Sequence, residues 1–378
     1  MAGNATGQEP LGLYIHVPFC LSKCPYCDFY SLARPDDGLM DAYTAVVCRS
    51  LDEWARRLNA SADTLYFGGG TPSLLGGERL AAIIERAAAG FGLCGAEITL
   101  EANPADDLAE TFRCFAAAGG NRVSMGMQSA DSGELRGLGR RHTPDETARA
   151  VEAAHAAGIG NLSLDLMLAL PGQTEERITR SAESCRELGA RHVSAYLLKI
   201  EEGTPFYRRR DTLALPDEDR AAELYLHACG ELERLGYRQY EISNFSAPGF
   251  ESRHNRKYWL SAPYLGIGPS AHSCLGGRRF YYPRDLEGFL KGGEPLDEDS
   301  DDRVIPDGSP EEYLMLRLRL AEGVREEEYG ARFGAAIPDR WRQRALALPR
   351  ELILCDDEGI RLTRKGFLLS NAILGRLL

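Results

Sequence analysis

The feature that most restricts the fold is a repeated alternation, from Leu13 to about Ile200, of short apolar runs with longer stretches of helical period. The runs predict strands at Leu13–Phe19, Thr64–Phe67, Glu97–Leu100, Arg122–Met127, Leu162–Leu170 and His192–Leu198. Between them, apolar residues recur every three to four positions, which predicts helices at Leu39–Leu58, Glu78–Ala89, Leu108–Ala118, Pro144–Ala157 and Thr174–Leu188. Short connections between strand and helix imply a parallel sheet with crossover helices. The polar residues then choose among parallel folds. Cys20, Gly70, Glu101, Gln128 and Asp165 stand at or just beyond the carboxyl ends of successive expected strands. A β/α barrel gathers its site there, so an α/β chain forming an open or complete barrel is expected.

Past Glu201 the pattern changes. A helix is expected near Asp217–Leu235, then a Gly/Pro/aromatic-rich stretch from Tyr237 to Pro283. The run from Gly292 to Ser309 is dense in Asp, Gly and Pro and reads as a linker. Residues 310–378 show three helical patterns and a strand pair around Leu352–Leu362, the signature of a small winged-helix-like α+β domain. A winged helix invites a nucleic-acid role, but residues 301–378 hold 13 Lys and Arg against 14 Asp and Glu, and the whole chain carries a net charge of −12. That lacks the basic footprint of a nucleic-acid reader, so an interaction or lid role is expected instead. No apolar run approaches the roughly 20 residues of a membrane helix. Residues 1–10 are small and polar, with neither the basic start nor the apolar stretch of a secretory signal. A disordered amino terminus on a cytoplasmic protein is expected, with most of its ten cysteines reduced.

Cys20, Cys24 and Cys27 follow the first strand in the order C-x3-C-x2-C. Thiolates so spaced can converge on one iron–sulfur cluster, and three ligands to a four-iron cluster leave one iron open. A zinc knuckle completed by His16 is the competing reading. Cys48, Cys94, Cys114, Cys185 and Cys229 fall in helical patterns or turns and read as inert, and Cys274 and Cys355 carry no readable role.

The string Tyr14-Ile-His-Val-Pro-Phe-Cys20-Leu-Ser-Lys-Cys24-Pro-Tyr-Cys27-Asp-Phe resembles the cluster loop of radical S-adenosylmethionine (SAM) proteins. Within that superfamily the chain, from Leu13 onward, resembles the branch of oxygen-independent coproporphyrinogen III oxidases and HemW-type haem chaperones. The resemblance implies a partial (β/α)6 TIM-like barrel over 11–235, a family-specific extension over 236–291, a linker over 292–309 and the small terminal domain over 310–378. It implies a [4Fe-4S] cluster on Cys20, Cys24 and Cys27 and a nucleoside site made by Tyr14, Tyr26, Gly69, Gly70, Thr71, Glu101, Gln128, Arg140 and Asp165. Glu101 would meet the ligand's ammonium, Arg140 its carboxylate, and Gln128 and Asp165 its ribose hydroxyls. Arg136 and Arg141 compete with Arg140 for that part. Phe19, Tyr26, Phe29 and Tyr30 suit either screening of the cluster or core packing.

The two relatives part just after the triplet. The oxidases carry a further cysteine two positions beyond the last ligand, where this chain has Phe29. His254-Asn-Arg-Lys-Tyr258-Trp259 matches an HNxxYW motif of the haem chaperones. A neutral imidazole is a good axial ligand for haem iron, and Tyr258 and Trp259 can lie against a flat macrocycle. His254 is equally placed to be a hydrogen-bonded structural residue, and His272 is a second candidate ligand. The resemblance therefore implies a haem chaperone with haem as cargo, acceptor haemoproteins as partners and a low-potential electron donor of flavodoxin or ferredoxin type. The alternatives are the radical oxidative decarboxylase, a coproporphyrinogen dehydrogenase-like oxidoreductase, and a zinc-stabilised binding module.

Overall fold

In β1 (Leu11–Val17) the odd-numbered Leu11, Leu13, Ile15 and Val17 are buried against the first helix, while Tyr14 and His16 occupy the opposite face. That two-residue period makes one strand serve both a hydrophobic layer and an interior. In the computed structural model, which describes residues 9–297 and 305–378, five more β/α steps follow the same logic. After α1 (Asp37–Leu58) completes the first step, they are β2 (Ala62–Gly69), α2 (Gly77–Phe91), β3 (Glu97–Ala102), α3 (Ala109–Ala117), β4 (Arg122–Gln128), α4 (Pro144–Ala156), β5 (Asn161–Leu168), α5 (Glu175–Glu187), β6 (His192–Leu197) and α6 (Glu218–Arg234). Residues 1–8 of the expected disordered terminus and 298–304 of the expected linker lie outside the described residues.

The six strands pair in sequence order, each parallel to the next. Local chemistry sets the helix ends. Asp36 caps α1 by accepting from the Leu39 amide, and Thr143 and Glu146 form a reciprocal capping box ahead of Pro144 in α4. The apolar stripe of α1, Met40, Tyr43, Val47 and Leu51, packs on the odd-numbered face of β1. Each fully buried Leu, Ile or Val there contributes about 1.5–3 kcal/mol relative to exposure.

The sheet stays open. The stretch over 236–291 extends both of its edges: β7 (Asn244–Ser246) pairs antiparallel with β6, and β8 (Tyr264–Ile267) pairs parallel with β1. The hairpin β9 (His272–Leu275) and β10 (Arg278–Tyr281) continues from β8. The motif helix α7 (Arg253–Trp259) lies between the two edge strands in sequence. The terminal segment has its own core around Leu314, Tyr329, Ile337, Trp341, Ile353 and Ile360. It carries five helices instead of the three expected, since Arg364–Leu368 and Ser370–Leu377 follow the strand pair Ile353–Asp356 and Gly359–Leu362. Short backbone links join it to the extension: the Ile242 amide donates to Arg319 O at 3.0 Å and the Ala321 amide to Tyr240 O at 2.9 Å. Among the described residues no helix is long and apolar enough to cross a membrane.

Candidate functional site

Just past β1 the chain enters the cysteine loop. Phe19–Cys20 pairs with Leu32–Ala33, and the Arg34 amide donates to Cys20 O at 2.8 Å, so the loop between them is pinned at its neck. The Cys27 amide donates to Cys24 O at 3.1 Å, which closes a tight turn between those two cysteines. Burial pushes the Cys27 thiol up, and the nearby Cys24 and Cys20 thiols push the same way, so the three share one neighbourhood. All ten cysteines are free.

The glycine loop after β2 fits against this neck. The Gly70 amide donates to Val17 O at 2.8 Å and the Thr71 amide to Phe19 O at 2.7 Å. A Cβ at Gly70 would lie 2.5 Å from Phe19 O, and Gly69 has φ of +111°, so the triple glycine is a steric requirement of the join. Thr71 Oγ1 then stands 3.5 Å from Cys20 Sγ.

Arg140 reaches the other side of the loop. Its Nη1 lies 3.7 Å from Cys24 Sγ, while Nη2 donates to Gly126 O at 2.8 Å and approaches Asn103 Oδ1 at 3.4 Å. Its Nε is buried without a partner among the described residues. Arg136 is exposed, and Arg141 pairs with Asp106 at 3.8 Å, so of the three arginines Arg140 alone enters the site. Gly126 keeps the space open, since a Cβ there would meet Gln128 Nε2 at 2.6 Å and Arg140 Nη2 at 3.1 Å.

Two carboxyls face the interior. Burial pushes Glu101 up to about 7, with the Asp165 charge adding and the Tyr66 hydroxyl, which donates to it at 2.7 Å, opposing. Burial likewise pushes Asp165 up to about 6, against the Arg122 charge and the Ser124 hydroxyl, which donates at 3.3 Å. Asp165 corrects the strand-end reading: it is the fifth residue of β5, three short of Leu168, and faces the interior below the rim. Gln128, last in β4, has φ of +65° after a register irregularity and accepts from Tyr196 at 3.1 Å. The irregularity re-aims its side chain. Tyr66, Asn103, Ser124 and Tyr196 belong to this wall and were missed from sequence, where nothing but their position near strand ends marks them.

These groups fit the cofactors the sequence implies. A buried guanidinium beside Cys24 with its Nε unpartnered suits a carboxylate, and a buried carboxyl such as Glu101 suits an ammonium, whose charge would offset the cost of ionising it there. A zinc knuckle fits less well. His16 Nδ1 lies 3.1 Å from the Tyr14 hydroxyl and its Nε2 3.1 Å from Tyr30 O, so both ring nitrogens are engaged.

Beside the loop lies a cleft of about 470 Å³. Its aromatic lining is Tyr14, Phe29, Tyr30, Tyr258, Trp259 and Tyr264, closed by Leu316 of the terminal segment. His16, His272, Arg279 and Arg284 supply its polar rim. Tyr26 lies outside the cleft but within the site, packed edge-on against Phe206 with its hydroxyl beside Cys24 and Arg140.

The motif histidine does not reach this cleft. His254 is fully buried, with Nδ1 2.8 Å from Thr64 Oγ1 and Nε2 2.7 Å from the Tyr258 hydroxyl. Burial pushes its pKa down to about 3, so it is neutral, and neither nitrogen is left for a metal. The Glu97 carboxylate accepts from the Arg253 and His254 amides, completing a tie from α7 to the barrel floor. His272, in contrast, is exposed and stacks on Tyr281 with ring centroids 5.4 Å apart. A second cavity of about 390 Å³, bordered by Glu97, Asn121 and Asn161, sits at the amino ends of the strands, away from every cysteine of the triplet.

Comparison with known proteins gives the chain's family. The model of the radical SAM superfamily matches residues 14–185, and that of the HemN C-terminal domain matches residues 306–369. The heme chaperone HemW of Mycobacterium tuberculosis is 38% identical over 381 residues, covering 98% of this chain and 95% of the relative. The chain belongs to the HemW branch of the radical SAM superfamily. The heme chaperone HemW of Escherichia coli is 38% identical over 86% of each chain, and that of Bacillus subtilis 32% identical over 97% of this chain and 98% of its own. The solved coproporphyrinogen III oxidase (HemN) from Escherichia coli has the same fold, with a TM-score of 0.80 at 20% identity over 98% of this chain and 90% of that one. The superfamily match spans β1 to α5, and the terminal match covers most of the segment that closes the cleft with Leu316.

Proposed function

We propose that this chain is a cytoplasmic haem chaperone that takes haem into the aromatic cleft and passes it to acceptor haemoproteins. The cleft carries the reading. It is lined by aromatic rings and has the exposed Arg284 at its mouth, which suits an apolar macrocycle with anionic propionates. The relatives named heme chaperone align over nearly the whole chain, which supports a chaperone over an oxidative decarboxylase.

His272 is our candidate for the axial ligand, and His254 becomes a positioning residue that anchors Tyr258 and, through α7, Trp259. The Trp259 Nε1 is buried without an acceptor among the described residues, and Arg319 stacks on the same ring at 4.6 Å. That indole is therefore held ready to donate to a propionate at the cleft wall. Arg284, 61% exposed in its side chain, supplies charge at the mouth.

Cys20, Cys24 and Cys27 would hold a [4Fe-4S] cluster, with Thr71 beside Cys20 and Arg140 beside Cys24. Tyr14, Tyr26, Gly69, Gly70, Thr71, Glu101, Gln128, Arg140 and Asp165 would hold S-adenosylmethionine. When bound, a reduced cluster supplies the electron that cleaves the nucleoside's carbon–sulfur bond. The chain's own part is to neutralise the ligand's two charges on Glu101 and Arg140 and to exclude water.

Haem titration of the full chain, followed at the Soret band, tests the reading. Saturable one-to-one binding that weakens at least tenfold in His272→Ala supports it. Stoichiometric binding unchanged in that variant removes His272, and no binding removes the chaperone reading.

A further inference from the structure

β4 buries Val123, Met125 and Met127 against the helices, so Arg122, Ser124, Gly126 and Gln128 face the barrel interior. The last three border the nucleoside site. Arg122, at the strand's amino end, lies beneath it. It is 1% exposed and among the largest fully buried side chains of the molecule. Its register neighbours are Thr99 on β3 and Asn161 on β5. Each of the three leaves a buried polar atom without a partner among the described residues: Arg122 Nε, Thr99 Oγ1 and Asn161 Oδ1.

A buried charge without a partner is costly, so something must answer the guanidinium. The other polar groups of the barrel floor are engaged elsewhere. His192 has Nδ1 2.8 Å from Ser163 Oγ and Nε2 2.9 Å from the Tyr240 hydroxyl, and His254 is held by Thr64 and Tyr258. Burial pushes both imidazoles down, and the Arg122 charge pushes the same way, so both are neutral. Burial also keeps the Tyr66 and Tyr240 hydroxyls protonated. The Glu97 carboxylate accepts two amides of α7.

Two acids remain, both one row higher. Glu101 stands opposite Ser124 in register, two residues or about 6–7 Å along the strands from the Thr99–Arg122 row. Ser124 donates to Asp165 Oδ1 at 3.3 Å, which brings that carboxyl over β4 as well. Burial raises both acids and the Arg122 charge opposes it, at Asp165 ahead of every other opposing influence.

We propose that Arg122 is a positioning residue of the nucleoside pocket, a counter-charge beneath the floor that makes Asp165, and to a smaller degree Glu101, ready to accept from the ligand. The inference rests on the nucleoside site proposed above. Arg122 touches no ligand itself. It acts through Asp165, which can accept from two ribose hydroxyls as a carboxylate and from fewer as an acid.

Carbon-13 titration of the side-chain carboxyls in the full, ligand-free chain, assigned with Asp165→Asn and Glu101→Gln, tests the proposal. In Arg122→Met the Asp165 midpoint, about 6 in the wild type, is expected to move up by about one pH unit, and the Glu101 midpoint by less. Thr99→Val alters the same row without removing a charge and is expected to move neither. The urea midpoint of Arg122→Met is expected to be no lower than that of the wild type, because an apolar chain replaces an unpaired buried charge. By equilibrium dialysis, S-adenosylmethionine binding in Arg122→Met should weaken about fivefold at pH 6 and less than twofold at pH 8, as that shift requires. An unmoved Asp165 midpoint beside normal wild-type binding overturns this proposal alone, as does an equal movement in Thr99→Val. A wild type that binds no S-adenosylmethionine at either pH overturns the nucleoside reading, and this proposal with it.

Discussion

The barrel mouth and the motif helix are both crowded with polar side chains, yet they treat them in opposite ways. At the mouth, Arg140 Nε has no partner among the described residues, and Glu101 and Asp165 are pushed up to about 7 and about 6 by burial. Along α7, the cleft-side Trp259 Nε1 excepted, the polar groups answer one another: His254 with Thr64 and Tyr258, Lys257 with Asp63 at 2.8 Å and Pro10 O at 2.8 Å, and Glu97 with two helix amides. Buried polar groups left incomplete ask for a ligand; complete ones hold a fold. The comparison therefore assigns ligand binding to the mouth and the adjoining cleft, and architecture to the histidine of the motif.

The largest expected effect is on the thiols. Replacing Cys20, Cys24 and Cys27 together by Ser should abolish iron and sulfide uptake while leaving the circular dichroism unchanged. Iron uptake at wild-type stoichiometry would break the mouth's side of the comparison.

His254→Ala and His272→Ala should then separate the two kinds of site. The first loses two hydrogen bonds and opens a buried cavity, so urea unfolding should show a loss of about 2–4 kcal/mol. Its folded fraction should keep the Soret maximum. The second should leave unfolding within about 0.5 kcal/mol and move the Soret band. An exchange of those two outcomes would restore His254 as the ligand.

Arg140→Lys keeps the charge but loses the planar fork, and should weaken S-adenosylmethionine binding about tenfold by equilibrium dialysis. Unchanged affinity would place the carboxylate elsewhere.

The smallest effect is a pH trend in ligand-free protein. Glu101 ionises at about 4.5 when unfolded and about 7 when folded. Between those values the folded state binds more protons, so stability falls as pH rises through the window. Asp165, raised from 3.8 to about 6, acts in the same direction at lower pH. Thermal melts from pH 4.5 to 7 should show the decline, and Glu101→Gln should flatten its upper part. An identical slope in the variant would show that Glu101 is not the group.

Much of this was legible in the sequence, for identifiable reasons. The β/α alternation shows because each strand buries a face and each helix a stripe, and both have fixed periods. The triplet and Gly68–Gly70 show because ligand spacing and close backbone approach demand particular residues at particular places. Asp165 was placed at a strand end because β5 was legible as a strand but its register against β4 and β6 was not. The extension's strands over 236–291 are two to four residues long and pair with β1 and β6 from far along the chain, so no local pattern announces them. The motif histidine was ambiguous for the same reason: Thr64 and Glu97, which decide its role, stand at distant positions. Arg140 could not be told from Arg136 and Arg141 until the turn after Ser132–Gly137 aimed one of them inward.

The central claim is that haem lies in the cleft whose wall is the cysteine loop itself. Low-temperature electron paramagnetic resonance measures this directly on protein with a reduced cluster and with haem supplied as its cobalt(II) analogue, which stays paramagnetic where ferric haem would be reduced. The account requires faster relaxation and dipolar broadening of the cluster signal when haem is present, both lost in His272→Ala. A cluster signal indifferent to stoichiometrically bound haem would contradict it.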